Sequence, residues 1–171
     1  LDVRPNLRLI PGASGVQEMA ALSNAQTAGI IHAFSDFHES LDYLVVDVAA
    51  GLSPSVLTFM AACTRRLVVL KDEPSSIADA YGMIKVMLRD QGLDQIHLVS
   101  NMARSEAHGA QLHARLDEVC RRFLNAGVGY LGAVESDDLV LQSQRKYQPV
   151  LEFAPGSAAA RDYRRLAHAV T

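Results

Sequence analysis

The chain has no tryptophan, two cysteines in 171 residues and three lysines, Lys71, Lys85 and Lys146. Cys63 and Cys120 have no metal-ligand spacing and fall within apolar helical patterns, which reads as buried free thiols and gives no disulfide framework. None of the lysines follows a glycine-rich turn, and Gly12-Ala13-Ser14-Gly15 has no Lys behind it, so the phosphate loop G-x-x-x-x-G-K-[ST] has no match. The six histidines make no strong metal pattern: His108 and His113 miss the i, i+4 spacing that binds zinc on a helix. Without a G-x-S-x-G elbow a hydrolase triad has no anchor. No apolar run approaches the roughly 18 residues of a membrane span, and no internal repeat or low-complexity segment occurs.

What is present suits one α/β domain. Hydrophobic residues make up 49% of the chain, ample for a core, and the formal net charge of −3 argues against a nucleic-acid surface over the bulk of it. The arginines are scattered, and the pairs Arg121-Arg122 and Arg164-Arg165 read as solvated helix faces.

Two stretches share one pattern. Leu41-Asp42-Tyr43-Leu44-Val45-Val46-Asp47 continues into Val48-Ala49-Ala50-Gly51, and Arg66-Leu67-Val68-Val69-Leu70 continues into Lys71-Asp72-Glu73-Pro74. Each is an apolar run of strand length, followed by acidic and turn-forming residues and then a helix. That is how strands buried on both faces of a parallel sheet read. Ligands in such sheets sit at the carboxyl ends of strands, which places Asp47, Gly51 and Glu73 where chemistry would occur.

Around these stretches the elements follow in order. Asn6 to Gly12 reads as a short strand broken by Pro11-Gly12, and Val16 to Leu22 as a helical turn or two. Ile30, Phe34 and Phe37 recur at helical spacing after Gln26. Tyr43 to Asp47 is a strand, and Ser53-Pro54 starts a helix with an apolar face of Val56, Leu57, Met60 and Ala61. Leu67 to Leu70 is the next strand. Ser76 with Asp79 suits a capping box for a helix carrying Ile77, Ala80, Tyr81, Ile84, Met87 and Leu88 and ending at Gly92. Ile96 to Asn101 is a strand with a polar end, Leu112 to Leu124 an amphipathic helix, Val128 to Val134 a strand, Leu139 to Gln144 a short helix, and Ser157 caps a last helix through Ala169.

The segment Asp47-Val48-Ala49-Ala50-Gly51, followed by Glu73-Pro74-Ser75-Ser76-Ile77 with Asp79-Ala80-Tyr81, resembles the MinD/ParA class of P-loop ATPases and, within it, the FlhG/FleN flagellar-number branch. The resemblance runs from about Asn6 to Ala169. It implies an α/β fold, a three-layer, mostly parallel sheet with helices on both faces, incomplete at the N-terminus because the phosphate loop would lie upstream. Residues 1–171 would be the C-terminal part of a single MinD-like ATPase domain, and the native sheet would include a strand outside these residues.

By the same resemblance the cofactors are ATP or ADP and Mg²⁺. Asp47 would be catalytic and hold the metal through a water, Ala50 and Gly51 would bring backbone amides to the γ-phosphate, Asn101 would read the adenine edge, and Glu135 would lie beside the base. Val134-Glu135-Ser136-Asp137 departs from the family pattern by lacking a Pro, and Val48 stands where relatives often carry Ser or Thr. The implied function is an ATP-dependent homodimeric switch, cytoplasmic, that controls flagellar number or placement through regulatory or assembly proteins. Peripheral membrane contact would come through a tail not present here, and no direct nucleic-acid contact is expected. The alternatives are a non-catalytic interaction module of the same fold, or a relative acting in division-site placement, partition or pilus assembly.

Overall fold

A computed structural model describes residues 1–12, 23–35 and 41–170. The chain divides into two compact units, residues 1–62 and 63–171. The expected turns at Val16 to Leu22, and Phe37, lie outside the described residues.

In the first unit, β1 (Asp2–Arg4) and β2 (Leu7–Arg8) form a small antiparallel hairpin that turns at Asn6, where φ is +64°. The strand expected from Asn6 to Gly12 is therefore shorter and belongs to a local hairpin. Helix α1 (Asn24–Ser35) starts in a reciprocal cap: the Gln26 N–H donates to the Ser23 hydroxyl, and the Ser23 N–H donates to Gln26 Oε1. Helix α2 (Pro54–Ala62) starts as expected, with Ser53 Oγ accepting from the Val56 N–H and Pro54 at the first helical position. It packs on α1 and buries Val56 and Met60.

Between the two helices, Tyr43 to Asp47 forms no strand. The run is extended in sequence character, but a strand exists only through its ladder, and these residues pair with no other among the described ones. Tyr43, Leu44 and Val45 are exposed, Val45 to 89%.

The second unit is built on a parallel three-stranded sheet in the order β3 (Arg66–Leu70), β4 (Ile96–Ala103), β5 (Gly129–Glu135). Parallel neighbours need long crossovers, supplied by α3 (Pro74–Arg89) and α4 (Glu106–Leu124). The register sets Val68 beside Leu98 and Leu70 beside Ser100, so these side chains share one face. On that face they meet Ile84 and Met87 of α3 and Leu112, Leu116 and Cys120 of α4, all buried. Each such aliphatic side chain contributes about 1.5–3 kcal/mol on leaving water.

Ser100 is buried there as well, its hydroxyl donating to the Gly109 carbonyl at 3.0 Å. A Cβ added to Gly109 would stand 2.5 Å from Ala133 Cβ, so the absence of a side chain is what lets α4 lie this close to the sheet. On the opposite face α7 (Ala158–Val170) packs on β5, where Leu166 lies over Gly132. Helices α5 (Asp138–Arg145) and α6 (Val150–Phe153) connect β5 to α7.

Two expectations change here. Helix α3 begins at Pro74, ahead of the Ser76 cap read from sequence; the Ser76 hydroxyl instead accepts from the Lys71 N–H at 3.0 Å and ties the loop down. Strand β3 is buried on one face only, with Leu67 and Val69 exposed on the other, the latter to 59%. A strand is buried on both faces only where a layer covers each, and α7 covers β5 rather than β3.

Candidate functional site

The carboxyl edge of the sheet collects Asp72 and Glu73 after β3, Asn101 to Ala103 of β4, and Glu135 to Asp137 at the end of β5. Asn101 is not the last residue of its strand, as expected, because β4 continues to Ala103 through Met102, whose φ is +53°. The Asn101 side-chain carbonyl accepts from the Met102 N–H at 2.9 Å, stabilising that kink, while its NH₂ has no partner among the described residues. Ser100 faces α4, so by strand alternation Asn101 faces the other side of the sheet.

Glu135 is placed through its backbone: its N–H donates to Asp162 Oδ2 at 2.9 Å. Two residues on, Asp137 accepts from the Leu139 N–H at 2.9 Å and the Ala159 N–H at 3.2 Å, capping α5 and holding the first turn of α7. Those backbone donors, Leu139 first, keep its carboxyl below the ordinary range.

Asp47, Ala50 and Gly51 lie in the first unit, and Asn101 and Glu135 in the second. Asp47 is exposed, as are Ala50 and Gly51. Gly51 has φ +106°, with nothing within 4 Å of where a Cβ would be, so its backbone conformation and not crowding calls for glycine. Among the described residues no group of three or more His, Cys, Asp or Glu side chains could hold a metal ion. A cation near Asp47 would therefore fit the water-mediated contact expected from sequence rather than a cage of protein ligands.

Two clusters were not legible as sites. In the first, Asp72 accepts from His108 Nε2 at 2.8 Å and from Arg115 Nη2 at 3.1 Å, with Arg104 Nη2 at 3.8 Å. The His108 hydrogen bond is the main cause that keeps the Asp72 carboxyl below its ordinary range, against an opposing desolvation. The signal was the spacing of Arg104, His108, Gln111 and Arg115, one helical face in four residues of which three are basic. In the second cluster Glu106 accepts from the Tyr130 hydroxyl at 2.8 Å, from the Ala133 N–H at 3.2 Å and from Arg165. Arg165 also donates to the Ala133 carbonyl at 3.2 Å and pairs with Asp162 at 3.0 Å. Burial first, and then the bond to Glu106, push the Tyr130 phenol up. Read from sequence as part of a solvated pair, Arg165 instead joins Glu106 across the outer edge of β5.

No family model matches the chain. It is 42% identical over 164 residues, 96% of its length, to the antiactivator FleN of Pseudomonas aeruginosa, and 30% identical over 155 residues, 90% of its length, to the flagellum site-determining protein YlxH of Helicobacter pylori. The chain belongs to the MinD/ParA class, in its FlhG/FleN branch. Septum site-determining protein MinD of Bacillus subtilis is a more distant relative, 22% identical over 96% of the chain. The chain spans little more than half of these relatives, 59%, 52% and 58% in the same order.

Solved structures agree on the fold. The cell division ATPase MinD of Pyrococcus furiosus and MinD of Pyrococcus horikoshii complexed with Mg-ADP each match 94% of the chain with TM-score 0.70 at 20% identity, over 63% and 61% of their own lengths. The MinD-like fold thus accounts for the parallel sheet flanked by helices. Among the described residues no helix is long and apolar enough to cross a membrane.

Proposed function

We propose that residues 1–171 are the later part of one MinD-like ATPase domain, in a protein that uses ATP binding and hydrolysis to control flagellar number or placement. The observation that carries this reading is the 42% identity to the antiactivator FleN along 96% of the chain. The similarity to a flagellum site-determining protein supports the flagellar assignment over division-site placement.

On this reading the complete protein forms an ATP-dependent homodimer that engages flagellar regulatory or assembly proteins, in the cytoplasm and with peripheral membrane contact through a tail. Asp47 holds a water of the Mg²⁺ shell. Its exposed carboxylate suits that role, as the open, left-handed turn at Gly51 suits close approach of the Ala50 and Gly51 amides to phosphate. Asn101, with its NH₂ uncommitted, reads the base, and Glu135 lies at the base's far side. A bound Mg²⁺ supplies charge neutralisation on the phosphates.

The test uses the complete protein. Asp47→Ala is expected to cut ATP hydrolysis by about 100-fold, the upper scale for losing an outer-shell group, while thermal unfolding stays where it was. Asn101→Ala is expected to weaken ATP binding by roughly 1–2 kcal/mol and to relax preference for adenine over guanine in titrations with both nucleotides. Undiminished turnover in Asp47→Ala would overturn the assignment of Asp47, and full affinity with intact base preference would leave Asn101 as a residue of the β4 kink alone.

A further inference from the structure

Beside the sheet, on its α4 side, an open cleft of about 520 Å³ is lined by Asp72, Arg104, His108, Gln111, Ala114 and Arg115. It lies on the face opposite to the one Asn101 addresses, so it is not the nucleotide site proposed above and does not rest on that reading. Its charge is lopsided. The one carboxylate, Asp72, is engaged by His108 and Arg115. The Arg104 backbone N–H donates to His108 Nδ1 at 3.3 Å, which puts the imidazole proton on Nε2, where it donates to Asp72. His108 therefore satisfies Asp72 without needing a charge.

Two guanidiniums remain for that single carboxylate. Arg115 gives Asp72 one N–H, and Arg104, at 3.8 Å, stands beyond hydrogen-bond reach of it. Both arginine side chains are largely solvent-exposed, at 63% and 82%. A guanidinium carries several N–H donors in a planar fork that matches a carboxylate, so most of the donor capacity here is directed at solvent. This surplus stands on a chain whose net charge is −3.

The second observation is the surface beyond the cleft. From Arg115, Val119 and Phe123 follow along α4 at four-residue steps, on the side turned away from the buried Leu112, Leu116 and Cys120. Both are exposed, Phe123 to 54%, with the Arg122 guanidinium 5.2 Å over its ring. A solvated helix face has no need of an aromatic and a β-branched residue in line with an arginine. Cleft and ridge together offer cationic forks at one end and apolar side chains at the other.

We propose that this surface docks an acidic amphipathic segment of a partner protein, with carboxylates taken by Arg104 and Arg115 and apolar side chains resting on Val119 and Phe123. Helix-on-groove recognition of this kind reads its anchors at i, i+4 spacing. A free phosphate or a nucleic acid would leave Val119 and Phe123 unused, which is why a protein segment is favoured. Asp72 is then a positioning residue, holding Arg115 and His108 in place for the incoming carboxylate.

The probe is a short fluorescein-labelled peptide with Glu and Leu at helical spacing, titrated into the complete protein by anisotropy at physiological salt, beside a counterpart with Gln for every Glu. The Glu peptide is expected to bind, and the Gln peptide to bind at least about tenfold more weakly. Arg104→Gln, a substitution at an exposed side chain that leaves the fold intact by circular dichroism, is expected to weaken the Glu peptide about fivefold, and the Val119→Ser/Phe123→Ser pair by about tenfold. Equal binding of both peptides, or affinity untouched by Arg104→Gln, would overturn the proposal. So would competition by inorganic phosphate or anionic vesicles as effective as the unlabelled peptide, which would make the cleft a general anion or membrane contact.

Discussion

Tyr43 to Asp47 and Arg66 to Leu70 are nearly the same sentence in sequence, yet one forms no strand among the described residues and the other is an edge of a parallel sheet. Their composition does not separate them. What does is β4: Arg66 to Leu70 finds Ile96 to Ser100 in register for five consecutive residues, and with each backbone bond placed the alternate side chains Val68 and Leu70 reach the α3–α4 core. Tyr43 to Asp47 meets no such partner, and its apolar side chains stay in water. Hydrophobicity makes a segment able to be a strand, and a neighbour with free donors and acceptors makes it one.

Substitution in the two runs separates these roles most sharply. Leu70→Ala should cost about 2–5 kcal/mol, the range for emptying a fully packed leucine site, whereas Val45→Ala should stay within about 0.5 kcal/mol because nothing packs on it. Urea unfolding of the 171-residue chain measures both. Comparable losses would mean that Tyr43 to Asp47 is buried after all.

A smaller contrast lies in two glycines. Gly109→Ala forces a methyl against Ala133 across the α4–sheet contact and should cost about 1–3 kcal/mol as overpacking. Gly51→Ala meets no atoms and should cost about 1–2 kcal/mol from its left-handed φ alone. The distinguishing measurement adds a Gly51→Asn variant, since Asn tolerates that backbone region: much of the loss should be recovered at position 51. An Asn at 109, bulkier than Ala, should make matters worse. Recovery at both positions would remove the steric account of Gly109.

The smallest effect is expected at Asp137, in the well-packed unit. Its carboxyl is held below its ordinary value of 3.8 by the Leu139 and Ala159 N–H groups. A depressed folded-state value adds stability that is fully present above the unfolded value and is lost as pH falls through the folded one. Asp137→Asn keeps an acceptor for the caps but removes the titration. The unfolding midpoint of the variant should therefore fall less steeply than that of the parent below about pH 4, and parallel acid limbs would show that other carboxylates set the slope.

Helix starts were legible wherever a hydroxyl or carboxylate could reach the first free N–H groups. Ser53 and Ser157 cap as read, Ser157 Oγ accepting from the Ala160 N–H at 3.1 Å. At Ser76 the same chemistry misleads, because Pro74 can open the helix earlier and the hydroxyl finds the Lys71 N–H instead. Asn101 was legible as a polar residue near the end of β4, but not the kink at Met102 that occupies its carbonyl. The basic cleft was invisible for a different reason. Arg104, His108 and Arg115 announce a common face by their spacing, whereas Asp72 lies over thirty positions away and joins them only when β3 and α4 pack side by side.

The order of strands and helices from Arg66 onward, the apolar faces of α3 and α4, and membership of the MinD/ParA class were set by the sequence itself, since they depend on residue periodicity, caps and motifs that are local in the chain. Which apolar run becomes a strand, which face of β3 is covered, and which arginines are held by carboxylates were decided only in the tertiary structure. Backbone ladders, buried contacts and charge pairs each need a second segment, and no single stretch of sequence contains its partner.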